Sequence, residues 1–273
     1  MSRDGRYLVV ARRDLAEARR SRLFWGAFGL IFLLVVPSFW SMVSGLHAVE
    51  DAAPAAVRAV GRLPGYLSTY LFVLVAALAY TAVASERESG SVRLLLSLSA
   101  TRRDVLVGKL LARGALLASV VTALLALLGG FVVVGRGRLP VAGFGVVAGW
   151  VVVYALCWTA FAAGLSAAFA SQYRALAAIA GTYVVLAWNA PVWKAVLEPG
   201  LRALLPSGLH EYVPALNPTI SIGLVAEWLL ATVTPATSEA GVGPVLVSVG
   251  AVVLVGTVGP LVGYWSFRRA DLG

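Results

Sequence analysis

Six stretches of this chain hold close to, or more than, the about 20 consecutive apolar residues that a helix needs to cross a bilayer. They fall at 23–46, 66–84, 106–134, 144–170, 175–197 and 244–267, separated by polar islands. Lipid offers backbone N–H and C=O groups no partners, so such stretches must form helices or a closed barrel, and runs of this length fit helices. The 273 residues are 60% hydrophobic and 13% charged, too little polar surface to coat a soluble globule. The expected fold is therefore all-α: one integral membrane domain, 1–273, with six transmembrane helices. Gly and Ala recur inside the apolar stretches and suit close helix packing in lipid. Pro37 is expected to kink the first span, and Asn189-Ala190-Pro191 interrupts the fifth. Region 175–243 is thus either a span followed by a loop or a broken, re-entrant segment.

The charges are asymmetric. Arg58, Arg62, Arg136, Arg138, Lys194 and Arg202 fall on one side of this topology, and the other 16 of the 22 basic residues lie in 1–22, 85–113, 171–174 and 268–273. The positive-inside rule then puts both termini in the cytoplasm of a multi-pass cell-membrane protein. This accounts for the net charge of +9 without nucleic acid: the basic segments face anionic lipid or a cytoplasmic partner. Within 1–22, Leu8, Ala11, Leu15 and Ala18 recur at helical spacing among arginines, which predicts an amphipathic helix on the membrane surface. A cleaved signal peptide does not fit, because the apolar stretch that follows is too long and lacks a cleavage site. The outer segment 198–243 is long. A short helix should begin after Pro218, with Ile220, Leu224 and Trp228 on one face.

The islands differ in content. Residues 84–96 read Ala-Ser-Glu-Arg-Glu-Ser-Gly-Ser-Val-Arg-Leu-Leu-Leu, and charge continues through Arg102, Arg103 and Asp104 to Lys109 and Arg113. Such a run belongs outside the hydrocarbon, where a charge costs about 2.5–3.5 kcal/mol even on insertion scales. Ser85 is expected to cap a helix from Glu86, with both glutamates in its favourable first turn. Gly90-Ser91 allows a bend, and Val92, Leu95, Leu96 and Ser99 share a face. A short cytoplasmic helix tethered between two spans can dock in a partner's groove and transmit its motion.

These residues resemble the first cytoplasmic loop of the permease subunits of type-2 (ABC-2) ABC transporters. That loop commonly runs Glu, basic, Glu, any, Gly, Thr or Ser, Leu-Leu, Pro, Ser or Thr, Arg, then Lys at the next span. The chain supplies Glu86, Arg87, Glu88, Gly90, Ser91, Leu95, Leu96, Thr101, Arg102 and Lys109 in that order, with Ser99 where the family has its proline. The surface helix, the six spans, the long outer segment and the ending Phe267-Arg268-Arg269-Ala270-Asp271-Leu272 are also similar. The opening Arg13-Asp14-Leu15 through Arg20-Ser21-Arg22 resembles permeases associated with maturation of nitrous-oxide reductase. The resemblance implies a coupling loop at 85–105, with Glu86, Arg87, Glu88, Gly90, Ser91, Arg102 and Lys109 coupling to a separate ATP-binding subunit. It also implies pairing with a second permease, identical or related, and export as the direction.

The chain is expected to bind no cofactor. Gly108-Lys109 lacks the upstream glycine and following hydroxyl of a phosphate-binding loop, so ATP and Mg²⁺ belong to the partner and the chain is not an enzyme. Two lone histidines, His47 and His210, make a poor metal set, and Cys157 beside Trp158 reads as a small packing residue. Glu198, Glu211 and Glu227 lie in or near the outer segment. Glu227, within an apolar run, is either functional at membrane depth or solvated at the interface. Asn189 suits an interhelical hydrogen bond. Trp25, Trp40, Tyr66, Tyr70, Trp150 and Trp265 suit interfacial belts. Glu86 and Glu88 can serve as coupling contacts or as helix-end charges, and Arg102 and Lys109 as bracing or as interfacial anchors. A membrane scaffold or assembly protein without a transport path, and an ATPase-independent secondary transporter, remain the alternatives.

Overall fold

The computed structural model describes residues 6–45, 52–91, 101–187 and 190–269, and over them all regular structure is helical. In chain order the α-helices are α1 Arg6–Ala18, α2 Arg22–Gly45, α3 Ala52–Ala79, α4 Ala84–Glu88, α5 Arg102–Arg136, α6 Val141–Ala168, α7 Gln172–Leu186, α8 Glu198–Leu204, α9 Pro218–Val233 and α10 Val242–Arg269. A π-helical turn at Val192–Leu197 precedes α8, and two 3₁₀ turns, Ser207–Tyr212 and Pro214–Leu216, precede α9.

Five helical runs are long and apolar enough to cross a membrane: Arg22–Gly45, Tyr70–Glu88, Arg102–Arg136, Val141–Ala168 and Val242–Arg269. A sixth arises only if the pair Ser207–Leu216 and Pro218–Val233, bent by 99°, counts as one broken span. This corrects the expected fifth span at 175–197. The helix there stops at Leu186, because Pro191 brings no N–H and disfavours helical backbone at the residue before it. Trp188 and Asn189 lie outside the described residues. The broken alternative for 175–243 matches the observed architecture. α9 begins as expected, with Pro218 at its first position and the Asn217 side chain accepting from Thr219 N–H at 2.8 Å.

α6 sits at the centre, packed against α3, α5, α9 and α10. Its Trp150, Tyr154 and Trp158 follow at steps of four, so all three are buried on one face. Trp150, expected in an interfacial belt, instead donates its indole N–H to the Ile222 carbonyl at 3.1 Å. Phe72 of α3 stacks on Tyr183 of α7 with ring centroids 4.1 Å apart and meets Trp158 edge-on. α6 and α10 approach backbone to backbone where Gly164 faces Gly259 and Gly263, so that a side-chain carbon at any of the three would strike main chain. Cys157 fills the space beside Gly256 in the same seam, as a packing residue should. α2 buries Phe24, Ile31, Val35, Phe39 and Val43 and turns Leu30, Leu33 and Leu34 outward, a lipid-facing pattern.

α5 has 35 residues. At about 1.5 Å per residue it is about 50 Å long, against about 30 Å of hydrocarbon, so its ends project. Its N-terminal end gathers the basic segments, and its C-terminal end leads to Arg136 and Arg138.

Candidate functional site

The site is built where α3 breaks. After Ala79 the chain turns through 80–83 and resumes as the single turn α4. Ser85 does not cap α4 as expected: the helix starts at Ala84, and the Ser85 hydroxyl donates to the Thr81 carbonyl at 2.6 Å. Capping comes from another helix. The buried Ser166 hydroxyl of α6 accepts from Val83 N–H and Ala84 N–H, at 3.0 and 3.1 Å, and donates to the Tyr80 carbonyl at 2.7 Å. A buried donor without a partner costs about 1–3 kcal/mol. Ser166→Ala orphans two, so we expect a loss of at least about 2 kcal/mol, read as a lowered unfolding midpoint in detergent titration.

Four ionisable side chains meet beneath this turn. Lys109 and Arg113 are four residues apart on α5 and therefore share a face. Lys109 Nζ lies 2.9 Å from Asp14 Oδ1 and 3.0 Å from Glu86 Oε1. The Arg113 guanidinium donates to both Asp14 oxygens, at 2.7 and 3.0 Å, and to the Leu78 carbonyl at 2.7 Å. Asp14, Lys109 and Arg113 are buried, and the Glu86 side chain is 12% exposed. Two carboxylates balance two cations, as desolvated charge requires. Burial pushes the Asp14 carboxyl up, but Lys109 and Arg113 outweigh it and hold it below the usual carboxylate value. The brace joins α1, the end of α3, α4 and α5.

α1 reaches the brace through the face that carries Asp14. Val10, Asp14 and Ala18 are buried, whereas Leu8 is 48% exposed. Gly108 of α5 lets α1 approach: a side-chain carbon there would lie 2.7 Å from the Tyr7 carbonyl oxygen. Arg12, Arg13, Arg19 and Arg20 stay exposed on the other side.

The remaining expected residues also hold the chain to itself. Arg87 donates to the Ala167 carbonyl at 2.7 Å, and Arg102 to the carbonyls of Phe267, at 2.6 Å, and Arg268. Both guanidinium groups lie over the buried Phe267 ring, 5.8 and 5.6 Å from its centroid. Arg102 thereby satisfies the terminal carbonyls of α10, where a cation also suits the helix dipole. Glu88 accepts from Gln172 N–H at 3.1 Å, in the first turn of α7. Thr101 and Asp104 form a reciprocal capping box that starts α5. Gly90, at φ 74°, turns the chain as only glycine does easily. The Ser91 hydroxyl meets Ser89 at 3.0 Å. The expected docking face Val92, Leu95, Leu96 and Ser99, with Arg93, lies outside the described residues.

Sequence reasoning missed Asp14 and Arg113 as members of the site. The signals were there: Asp14 is an acid between Val10 and Ala18 at helical spacing, and Arg113 is a cation inside an apolar run, four residues after Lys109. At the other end, Glu198 and Arg202 pair on the surface at 3.0 Å, and a His210 ring nitrogen lies 3.0 Å from the Leu205 carbonyl. His47 lies outside the described residues. No grouping of three or more His, Cys, Asp or Glu able to hold a metal occurs among the described residues.

Residues 8–272 match the family described as ABC-2 family transporter protein. A stretch of 112 residues, 40% of this chain, is 34% identical to a protein of Pseudomonas aeruginosa named probable ABC transporter permease protein NosY. The match covers 39% of that relative's length.

Proposed function

The chain belongs to the ABC-2 family of transporter proteins, and from that premise we propose that it is the permease subunit of an ATP-driven exporter whose ATP-binding subunits are separate chains. The observation that supports this most is the buried brace of Asp14, Glu86, Lys109 and Arg113. It makes the turn at 84–91 mechanically continuous with α1 and α5. A push on the segment 86–99 from an ATP-binding subunit then moves two membrane-associated helices instead of bending a loose loop.

In this reading the seven expected residues divide their work. Glu86, Lys109, Arg87 and Arg102 position the segment, and their intrachain contacts carry the load. Glu88, Gly90 and Ser91 present the surface that the ATP-binding subunit touches. The Arg-rich end of the bundle faces the cytoplasm, as the excess of basic residues there favours. A second permease, identical or related, completes the path. The name of the Pseudomonas relative, a probable ABC transporter permease, agrees with the assignment.

The test is co-expression with an ATP-binding subunit carrying a phosphate-binding Gly-Lys-Ser/Thr loop, followed by purification in mild detergent. A stable complex that hydrolyses ATP is expected. Glu86→Ala should leave the chain folded but reduce the hydrolysis that the permease stimulates by about fivefold or more, the scale of a coupling free energy of 1–3 kcal/mol. If no ATP-binding subunit associates while the permease remains folded, the reading fails.

A further inference from the structure

A second apolar cluster lies apart from the main core, at the end of the bundle that carries the brace. Val83, Val105, Leu106, Ala167 and Phe267 are buried against one another, with Leu110 and Tyr264 packed at their edge. They come from the turn before α4, the start of α5, the end of α6 and the last turn of α10. Phe267, 0% exposed, is the largest buried side chain among the five.

The same ring carries both stems of the segment 88–101. Arg87 precedes that segment and Arg102 follows it, and both half-buried guanidinium groups lie over Phe267. A cation at such a distance is attracted to the ring face, more strongly where water is partly excluded. Each stem is fastened again to main chain of the same helix ends. Arg87 donates to the Ala167 carbonyl of α6, and Arg102 to the Phe267 and Arg268 carbonyls of α10. The Ser266 hydroxyl donates to the Ala168 carbonyl at 3.0 Å and ties the two helix ends to each other. Phe267 lies about one turn beyond Gly263, where α10 meets the α6 backbone. A displacement of this last turn therefore presses on main chain, which cannot absorb it as a flexible side chain would. Glu86 and Arg87 are consecutive, yet Glu86 turns to Lys109 of α5 and Arg87 turns to α6 and α10.

We propose that Phe267 is a positioning residue for coupling: it clamps both stems of the segment 88–101 to the last turn of α10, so that movement of the segment is delivered to α10 and, through the glycine seam, to α6. The brace and the clamp then divide one push between two helix pairs, α1 with α5 and α6 with α10. That a push arrives rests on the permease reading; that the stems are clamped does not. The ring face matters here and not only its bulk. Leucine at 267 keeps the cluster apolar but offers the two guanidinium groups no π face, whereas tyrosine keeps that face.

The first test uses the full chain alone in nanodiscs, with Cys157→Ser and spin labels attached at Ser91→Cys and Leu261→Cys. Leu261 is 67% exposed on α10, so its label faces outward. Pulsed electron spin resonance reads the distance distribution between the labels, which should be narrow with phenylalanine at 267. Phe267→Leu should broaden it by about twofold or more, the mark of a local fastening lost while the fold persists, and Phe267→Tyr should keep it narrow. Arg102→Met removes one stem's cation and leaves the ring in place. It should broaden the distribution too, and it keeps the test decisive if position 267 tolerates no leucine. In the complex with an ATP-binding subunit, labels at Leu111→Cys of α5 and Leu261→Cys of α10 should change separation when hydrolysis is trapped with vanadate. Phe267→Leu should abolish that change while the ATP-binding subunit still co-purifies. Unchanged widths in Phe267→Leu and Arg102→Met, or equal broadening by Phe267→Tyr and Phe267→Leu, overturn the clamp. A trapped change that survives in Phe267→Leu overturns delivery to α10. If no ATP-binding subunit associates, the permease reading fails, and the widths in the lone chain still decide the clamp.

Discussion

Asp14→Ala is expected to destabilise the chain by about 3–5 kcal/mol, the cost of leaving buried cations without their anion. Lys109 and Arg113 both depend on Asp14, whereas among the described residues the Glu86 carboxylate pairs with Lys109. The measurement is the thermal unfolding midpoint by circular dichroism in nanodiscs. The triple change Asp14→Ala/Lys109→Met/Arg113→Met should recover much of the loss, because apolar replacements of buried ion pairs are often neutral or better. A triple variant as unstable as the sum of the single changes would mean that the charges act independently. The pH dependence has a definite sign. The Asp14 carboxyl is held below its ordinary value, so its contribution is complete above the unfolded-state value of about 3.9 and is lost as pH falls through the lower folded-state value. Between pH 5 and 8 Asp14 should add no slope to stability, and its loss should appear only in acid.

The second large effect lies in the seam between α6 and α10. A side-chain carbon on Gly259 would lie 2.7 Å from the Phe161 carbonyl oxygen, and one on Gly164 would overlap the Gly259 backbone. Backbone cannot step aside as a flexible side chain does. Gly164→Ala or Gly259→Ala must therefore separate the two helices and should cost more than the about 1–3 kcal/mol of ordinary overpacking. Gly149, also on α6, has no heavy atom within 4 Å of such a carbon, so Gly149→Ala should be neutral or slightly stabilising. Equal effects of Gly149→Ala and Gly164→Ala on folded yield and unfolding midpoint would contradict the close-packed seam. In lipid, where helix association depends on packing, the contrast should be sharp.

Much of this architecture can be read from the chain. Length and hydropathy identify the helices of α2, α5, α6 and α10, because each is a long apolar run with no proline that ends it. The start of α9 after Pro218 is equally legible, since Asn217 and Pro218 form a cap and a first turn. The region 175–197 defeats a count of apolar residues. Its composition suffices for a span, but Pro191 ends the helical hydrogen bonding, and only placement in three dimensions tells a broken segment from a crossing. Trp150 was misassigned for a related reason: composition marks an amphipathic ring, not the Ile222 carbonyl that receives its N–H.

The charged island shows the limit most clearly. Its residues read as a cytoplasmic segment, and the family resemblance implies that Glu86 and Glu88 face a partner. The structure turns Glu86 inward to Lys109 and joins Glu88 to the first turn of α7. The contacts of the brace span from 23 residues, Glu86 to Lys109, to 99, Asp14 to Arg113, and no local pattern encodes separations of that size. What the sequence does carry is the anomaly of Asp14 and Arg113, charges on faces that should be apolar. Each marks a place where burial had to be matched by a distant partner.

The most direct test of the coupling account is a photo-reactive amino acid introduced at Ser91 in the assembled complex, irradiated in native membranes. The account predicts a crosslink to the ATP-binding subunit whose yield changes when ATP hydrolysis is trapped with vanadate, and none from the same probe at Arg138. Failure of Ser91 to crosslink in a complex that still hydrolyses ATP, or equal capture from Arg138, would contradict it.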